Sequence, residues 1–442
     1  MDAGNRVRKD SGRDDFMALY AISDIGRERS NGGDKQPEPI KKRAWLIWSL
    51  KRPEEVVTLR RVYGEGFFLI GVFSPEDKRS TYLQSKSMSE DQAKELIEAD
   101  QKEEDVPSGQ RTSKTFHLAD VFVDLTSETL KADLDRFVDL VFGQPFTTPR
   151  FDEYAMFLAY GASLRSADLS RQVGAVVASR AEEIVSVGAN DVPKAGGGLY
   201  WPGDRDERDH KKGHDSNEVE REKMLDDVLD RLKPVLRKGV SQEEARKYLE
   251  GCRILDITEF GRAVHAELEA ILSAGRSGVS IVGGALFATT FPCHNCAKHI
   301  VASGLNRVSY IEPYPKSQAE NLHKDAIVFG GKVTIPRKKE DGNSGEKPPE
   351  PVVFSPFVGI GPRRFFDLFS LALSSGRPIQ RKKKNSKGEK SDWKPENAEL
   401  RVPLSPLSYL EREKRVTETV ESVFAQVVGS GNDAQEEQDR RE

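Results

Sequence analysis

From residue 43 onward, short apolar runs alternate with longer segments whose apolar positions recur every three or four residues. "RAWLIWSL" reads as a buried strand, and "PEEVVTLRRVYG" as a helix with Pro53 at its first position and Gly64 beyond its end. "FFLIGVFS" predicts a strand, "SEDQAKELIEADQKEE" a helix, "LADVFVDL" a strand and "LKADLDRFVDLVFG" a helix. Alternation of this kind points to a parallel α/β sheet. The first 40 residues carry little periodicity beyond "FMALYAI", and a domain boundary is expected near Thr147–Pro149.

A second rhythm follows. The helical pattern "FDEYAMFLAYGASLRSADL" precedes two short strands, "VGAVVAS" and "EIVSVGAN". Residues 193 to about 255 break the pattern with "KAGGGLYWPGDRDERDHKKGHDSN" and a charged helical stretch, as an insertion would. The pattern resumes with a helix around residue 265, strand "GALFATT", helix "CHNCAKHIVASGL" and strand "RVSYIEP". Beyond residue 336, "RKKEDGNSGEKPPEP" has the composition of a flexible linker. "VVFSPFVGIGPRRFFDLFSLAL" is expected to dock back onto a domain, "RKKKNSKGEK" to form a solvated loop, and residues 426–442 a disordered tail. The expected division is therefore 1–147, 148–336 with the insertion, a C-terminal extension over 337–425, and the tail. No internal repeat is present.

Composition narrows the class. The chain of 442 residues is long enough for two or three domains with a sizeable core. A net charge of −4 argues against a protein devoted to coating nucleic acid. No apolar run approaches the roughly 18 residues a membrane span needs, and the polar start "MDAGNRVRKDSGRDD" lacks the apolar core of a secretory signal. Three cysteines, Cys252, Cys293 and Cys296, are too few for a disulfide framework. A cytoplasmic protein without membrane partners is the expectation.

Two of those cysteines carry the chemistry. In "TTFPCHNCAKHI", Cys293 and Cys296 open a predicted helix directly after a strand. There an i, i+3 pair can aim both sulfurs at one point, and the positive end of the helix favours thiolates. A third ligand from another helix start would complete a three-ligand site whose fourth position is left for water. His265, in "AVHAELEA", is the candidate, and Glu267 beside it fits a proton carrier that does not itself ligate. One imidazole and two thiolates offset Zn2+, which lowers the pKa of a coordinated water toward about 7. H-x-E followed by P-C-x-x-C is the signature of zinc nucleobase deaminases.

Blander readings fit less well. A thioredoxin-like redox pair would bring other features that are missing here, and a closed structural zinc site would draw on His294 or His299. Glu267 has no purpose in such a site. Cys252 lacks a partner at ligand spacing. His210 and His214 have i, i+4 spacing for a second metal, but a solvated insertion accounts for them better.

From about 150 to 330 the chain resembles the deoxycytidylate deaminase family, through "RSADLSRQVGAVV", "VGANDVP", "VHAELEA" and "FPCHNCAKHI" in that order. The resemblance implies a cytidine deaminase-like mixed sheet with flanking helices. It implies zinc held by His265, Cys293 and Cys296, and a proton shuttle at Glu267. Asn190 matches the asparagine that contacts the sugar in this family, with a turn role as the alternative. Arg165 and Arg171 lie where a phosphate-binding group would sit, with surface charge or an ion pair as the alternative. The segments "RAWLIWSLKRPEEV", "LRRVYGEGFFLIGV" and "FSPFVGIGPRRFFDLF", among others, further resemble bacterial antiphage nucleotide deaminases, which place a kinase-like domain in front. That implies an incomplete P-loop-kinase-like α/β domain over 1–147, because no G-x-x-x-x-G-K-[ST] occurs in the sequence. The implied reaction is hydrolytic deamination of dCMP or dCTP in a homo-oligomer, with a regulatory RNA or protein as a further partner. Deamination within a polynucleotide and a non-catalytic zinc scaffold are the competing readings.

Overall fold

Both ends of the chain build one unit, residues 1–149 with 358–442, and the middle builds another, residues 150–357. The computed structural model describes residues 2–439, apart from 32–35, 103–109, 204, 236–239, 250, 253–254, 256, 258, 315–316, 331–349, 373–375 and 384–386. The linker expected beyond residue 336 lies largely outside the described residues. In chain order the strands are β1 Ile70–Phe73, β2 Val121–Asp124, β3 Gly174–Ala178, β4 Ile184–Ala189 and β5 Ala285–Thr290. They continue with β6 Arg307–Glu312, β7 Ile327–Phe329, β8 Val352–Pro356 and β9 Gly359–Ile360.

In the first unit, helix Pro53–Tyr63 forms as its Pro and Gly punctuation predicts. Its Leu59 and Val62 pack with Ala18 and Ile22 of helix Phe16–Arg29. That earlier helix opens on "FMALYAI", the one periodic segment noted in the first 40 residues, and its Ala18, Leu19, Ile22 and Ile25 are buried at helical spacing. The sheet has the order β1-β2-β9. β1 and β2 are parallel as expected, but β9 joins antiparallel from the far end of the chain.

Two further expectations are corrected here. "RAWLIWSL" is not a strand: among the described residues no strand pairs with it, and Leu46 and Trp48 are 79% and 85% exposed. Its apolar character serves one side only, where Ile47 and Leu50 pack on the helices. Of the tail read as disordered, residues 426–439 lie in a helix running Pro406–Asp439. The costly nucleation of that helix is met earlier, where Val416 packs against the helical core, and propagation then needs only one bond per residue.

The second unit is a six-stranded mixed sheet in the order β4-β3-β5-β6-β8-β7. β3 pairs antiparallel with β4 and β5, and β5, β6, β8 and β7 run parallel. β8 comes from "VVFSP", so the apolar segment after the linker does dock back, as a strand between β6 and β7. The unit therefore extends past residue 336 to Phe357.

Helices cover both faces of this sheet at two glycines. Helix Phe151–Ser163 crosses so closely that a Cβ on Gly174 would strike the Ala159 carbonyl. On the opposite face, a Cβ on Gly188 would strike the Ala266 carbonyl and lie 2.5 Å from the Ala270 nitrogen, in helix Ala266–Arg276. The core beneath that helix joins Ala175, Val177, Ala270, Leu286, Ala297 and Ile300. Small residues here let the helix sit directly on the strands. The insertion carries helices Ser216–Leu232 and Gln242–Lys247, with Leu225, Leu229 and Ala245 as a small core of their own.

Candidate metal centre and active site

His265 is the cap residue of helix Ala266–Arg276, and Cys293 is the cap residue of helix His294–Ala302. Both have extended backbone, so each side chain projects forward from its helix start. Cys296 lies in the first turn, three positions after its cap, and therefore faces the same way as Cys293. His265 Nδ1 lies 3.3 Å from Sγ of Cys293 and 3.3 Å from Sγ of Cys296. All three ligand atoms fall within 4.8 Å of one another, the one group of this kind among the described residues. His294 and His299 are not part of it, nor are His210 and His214.

The geometry fits zinc. Zn–N of about 2.0–2.1 Å and Zn–S of about 2.3 Å give a tetrahedral N···S edge of about 3.6 Å. The observed 3.3 Å needs only a few tenths of an ångström of spreading to admit the ion. Two sulfurs and one imidazole form a donor set suited to this metal, and three ligands leave one position open.

The electrostatics of the three side chains are tightly linked. Cys293 is pulled down to about 4, first by its hydrogen bond with Cys296 and then by His265. Its thiolate in turn pushes His265 up to about 9, while Cys296 is pushed well up by its hydrogen bond to Cys293 and by burial. Glu267 is 4% exposed, and burial raises its pKa above the usual carboxylate range. A buried carboxyl beside the ligands, poised to accept and return a proton, suits general acid–base work.

Residues 166–173 link helix Phe151–Ser163 to β3. Asp168 faces His265 electrostatically and helps keep it protonated; it stands inside the quoted "RSADLSRQ" but received no role from the sequence. Asn190 is buried at the end of β4. Its Oδ1 accepts from Val173 N at 2.6 Å and its Nδ2 donates to the Arg171 carbonyl at 2.8 Å. The side chain thus holds the 171–173 backbone at the end of β4. Arg171 pairs with Glu312 at 3.0 Å, and Glu312 also accepts from Thr290 Oγ1 at the end of β5. Arg165 donates to the Tyr200 carbonyl at 2.9 Å and lies 3.8 Å over the ring of Trp201. The structure brings Asn190 and Arg171 into one loop anchorage and directs Arg165 to the insertion.

Comparison with known proteins gives several relatives. The deoxycytidylate deaminase of enterobacteria phage T2 is 47% identical over 55 residues, 12% of this chain and 29% of the phage protein. A probable deoxycytidylate deaminase of Drosophila melanogaster is 29% identical over 193 residues, covering 43% of this chain and 74% of the fly protein. The dCMP deaminase of cyanophage S-TIM5, solved with dCMP and dUMP, is 21% identical, with a TM-score of 0.25 over 40% of this chain and 93% of that one. The chain thus spans less than a third of the length of the T2 enzyme. Residues 149–312, which hold His265, Glu267, Cys293 and Cys296, match the family described as the cytidine and deoxycytidylate deaminase zinc-binding region.

Proposed function

We propose that the chain is a zinc-dependent deaminase converting cytosine deoxynucleotides, dCMP or dCTP, to uracil deoxynucleotides and ammonia. The observation that carries this reading is the buried Glu267 carboxyl beside a three-ligand His–Cys–Cys group. Zinc, when bound by His265, Cys293 and Cys296, supplies an acidified water at the open position. Glu267 would take one proton from the attacking water and deliver it to ring N3, then take the remaining proton from the oxygen now on C4 and pass it to the departing amine. Its burial excludes competing solvent and raises its proton affinity, which both transfers require. The released pair, ammonia and a C4 carbonyl, balances one water consumed.

Asn190, Arg171 and Arg165 are the proposed substrate contacts. Asn190 retains one N–H and one lone pair beyond its two loop bonds, enough for a sugar hydroxyl. Arg171 is exposed and can exchange its Glu312 partner for a phosphate. The family resemblance of the first and last segments supports a place in antiphage nucleotide depletion, and that of the middle segments a homo-oligomeric assembly.

The test is direct. Purified protein is incubated with dCMP, dCTP, CMP, CTP and single-stranded DNA or RNA, and ammonia and uracil products are followed. Turnover of the free deoxynucleotides is expected; turnover of polynucleotide alone overturns the substrate reading, and none with any substrate supports the scaffold. A plaque assay comparing wild type with Glu267→Ala tests the antiphage role.

A further inference from the structure

A buried guanidinium in the insertion is fastened to Asp191, whose backbone carbonyl holds the segment before the histidine ligand. Arg208 is 5% exposed. Its Nε and Nη2 donate to the two oxygens of Asp206 at 2.8 and 2.7 Å, and its Nη1 donates to Asp191 Oδ2 at 3.4 Å. The fork is a strong, directional contact, and it holds the Asp206 carboxyl well below its usual range. His210 adds Nε2 at 3.7 Å from Asp206.

Asp191 is the hub. It is 1% exposed and follows Asn190 in sequence. Its Oδ1 accepts from Val192 N at 2.8 Å and its Oδ2 from Ala167 N at 3.3 Å. Its backbone carbonyl accepts from Val264 N at 3.0 Å, one residue before His265. One residue thus ties the 166–173 loop, the end of β4 and the approach to the zinc ligand, and Arg208 holds its carboxylate from the insertion side. A second strap runs parallel: Arg262 Nη1 donates to Asp209 Oδ1 at 2.6 Å and to the Glu207 carbonyl at 3.1 Å.

We propose that Arg208 is a positioning residue for the zinc centre: by fixing Asp191, it fixes Val264 and the aim of His265, so that the insertion sets how firmly the ion is retained. The inference rests on the zinc reading of the centre, not on the identity of the substrate. Outer partners that orient a ligand typically change metal affinity by about 10–100-fold when lost.

The test measures zinc release from the full zinc-loaded chain into a chromogenic chelator, well below the unfolding midpoint. Asp206→Asn with Arg208→Gln removes the fork while keeping the net charge of the cluster, and Arg208→Lys keeps the cation without the fork. Release about tenfold faster from the double variant, with a smaller increase from Arg208→Lys, is the expected result. Arg231→Ala, which breaks an exposed pair with Asp227 elsewhere in the insertion, should leave the rate unchanged. Release within twofold of wild type from folded variants overturns the proposal, as does equal acceleration by Arg231→Ala. If the double variant does not fold, Arg208→Lys alone decides. A zinc-loaded wild type without turnover overturns the deaminase reading and leaves this one to be settled by the release rates.

Discussion

Cys296 Sγ and His265 Nδ1 stand 3.3 Å apart although 31 positions separate them in the chain. Neither side chain reaches the other by local structure; each is presented by its own helix start, and both starts meet at the same end of the sheet. The centre is therefore a property of how two helices seat on the strands. Losing any one ligand leaves two, too few for a stable site. His265→Ala, Cys293→Ser and Cys296→Ser are each expected to lower zinc content from about one ion per chain to a small fraction, measured by elemental analysis after dialysis.

Glu267→Gln separates metal binding from chemistry. The amide fills the same buried space but neither accepts nor returns a proton. Zinc content should stay at the wild-type level while kcat falls by about 10²–10⁴-fold, the usual worth of general acid–base catalysis. A variant keeping more than a tenth of wild-type kcat would remove Glu267 from the mechanism.

Zinc uptake should depend steeply on pH. Without metal, Cys293 sits at about 4 and is already a thiolate near neutrality, whereas His265 at about 9 and Cys296, pushed well up, still hold protons. Binding therefore expels two protons between about pH 5 and 8, and apparent affinity should rise about 100-fold per pH unit there. As pH passes 9, His265 deprotonates unaided and the slope drops toward one. Chelator competition across this range measures the slope; a slope near zero would contradict the charge states.

The centre was legible because its halves are local patterns. H-x-E and P-C-x-x-C each place side chains by helix-cap geometry, which spacing alone conveys. Strand β8 was not legible as a strand, since Val352–Pro356 pairs with β6 and β7 only through three-dimensional neighbours. "RAWLIWSL" misled for the reverse reason: it has strand composition, and no strand pairs with it among the described residues. Asn190 was read for its sugar contact, while its bonds to the 171–173 backbone depend on a loop folding back across the sheet end. Asp191 and Arg208, seventeen positions apart, carry no spacing signature at all.

Gly188 tests the seating of the ligand helix. A methyl group there meets backbone atoms of Ala266 and Ala270, which cannot rotate away as a side-chain tip would. Gly188→Ala should destabilise the chain by about 1–3 kcal/mol, the usual cost of overpacking. Because Ala266 follows His265, the shift should also speed zinc release from the folded variant. Thermal unfolding and chelator kinetics read the two effects; a variant matching wild type in both would show that the helix is held elsewhere.

Arg171 and Asn190 separate phosphate recognition from loop support. The Arg171–Glu312 pair is partly exposed, so Arg171→Ala should alter stability by no more than about 1 kcal/mol. If the guanidinium meets the phosphate, kcat/KM for dCMP should fall at least tenfold, with activity on deoxycytidine unchanged. Asn190→Ala should behave differently. It strips two bonds to the partly exposed 171–173 backbone, at about 0.5–1.5 kcal/mol each, and lowers activity on nucleotide and nucleoside alike. Equal losses on both substrates for Arg171→Ala would return that residue to a surface ion pair and move the phosphate contact elsewhere.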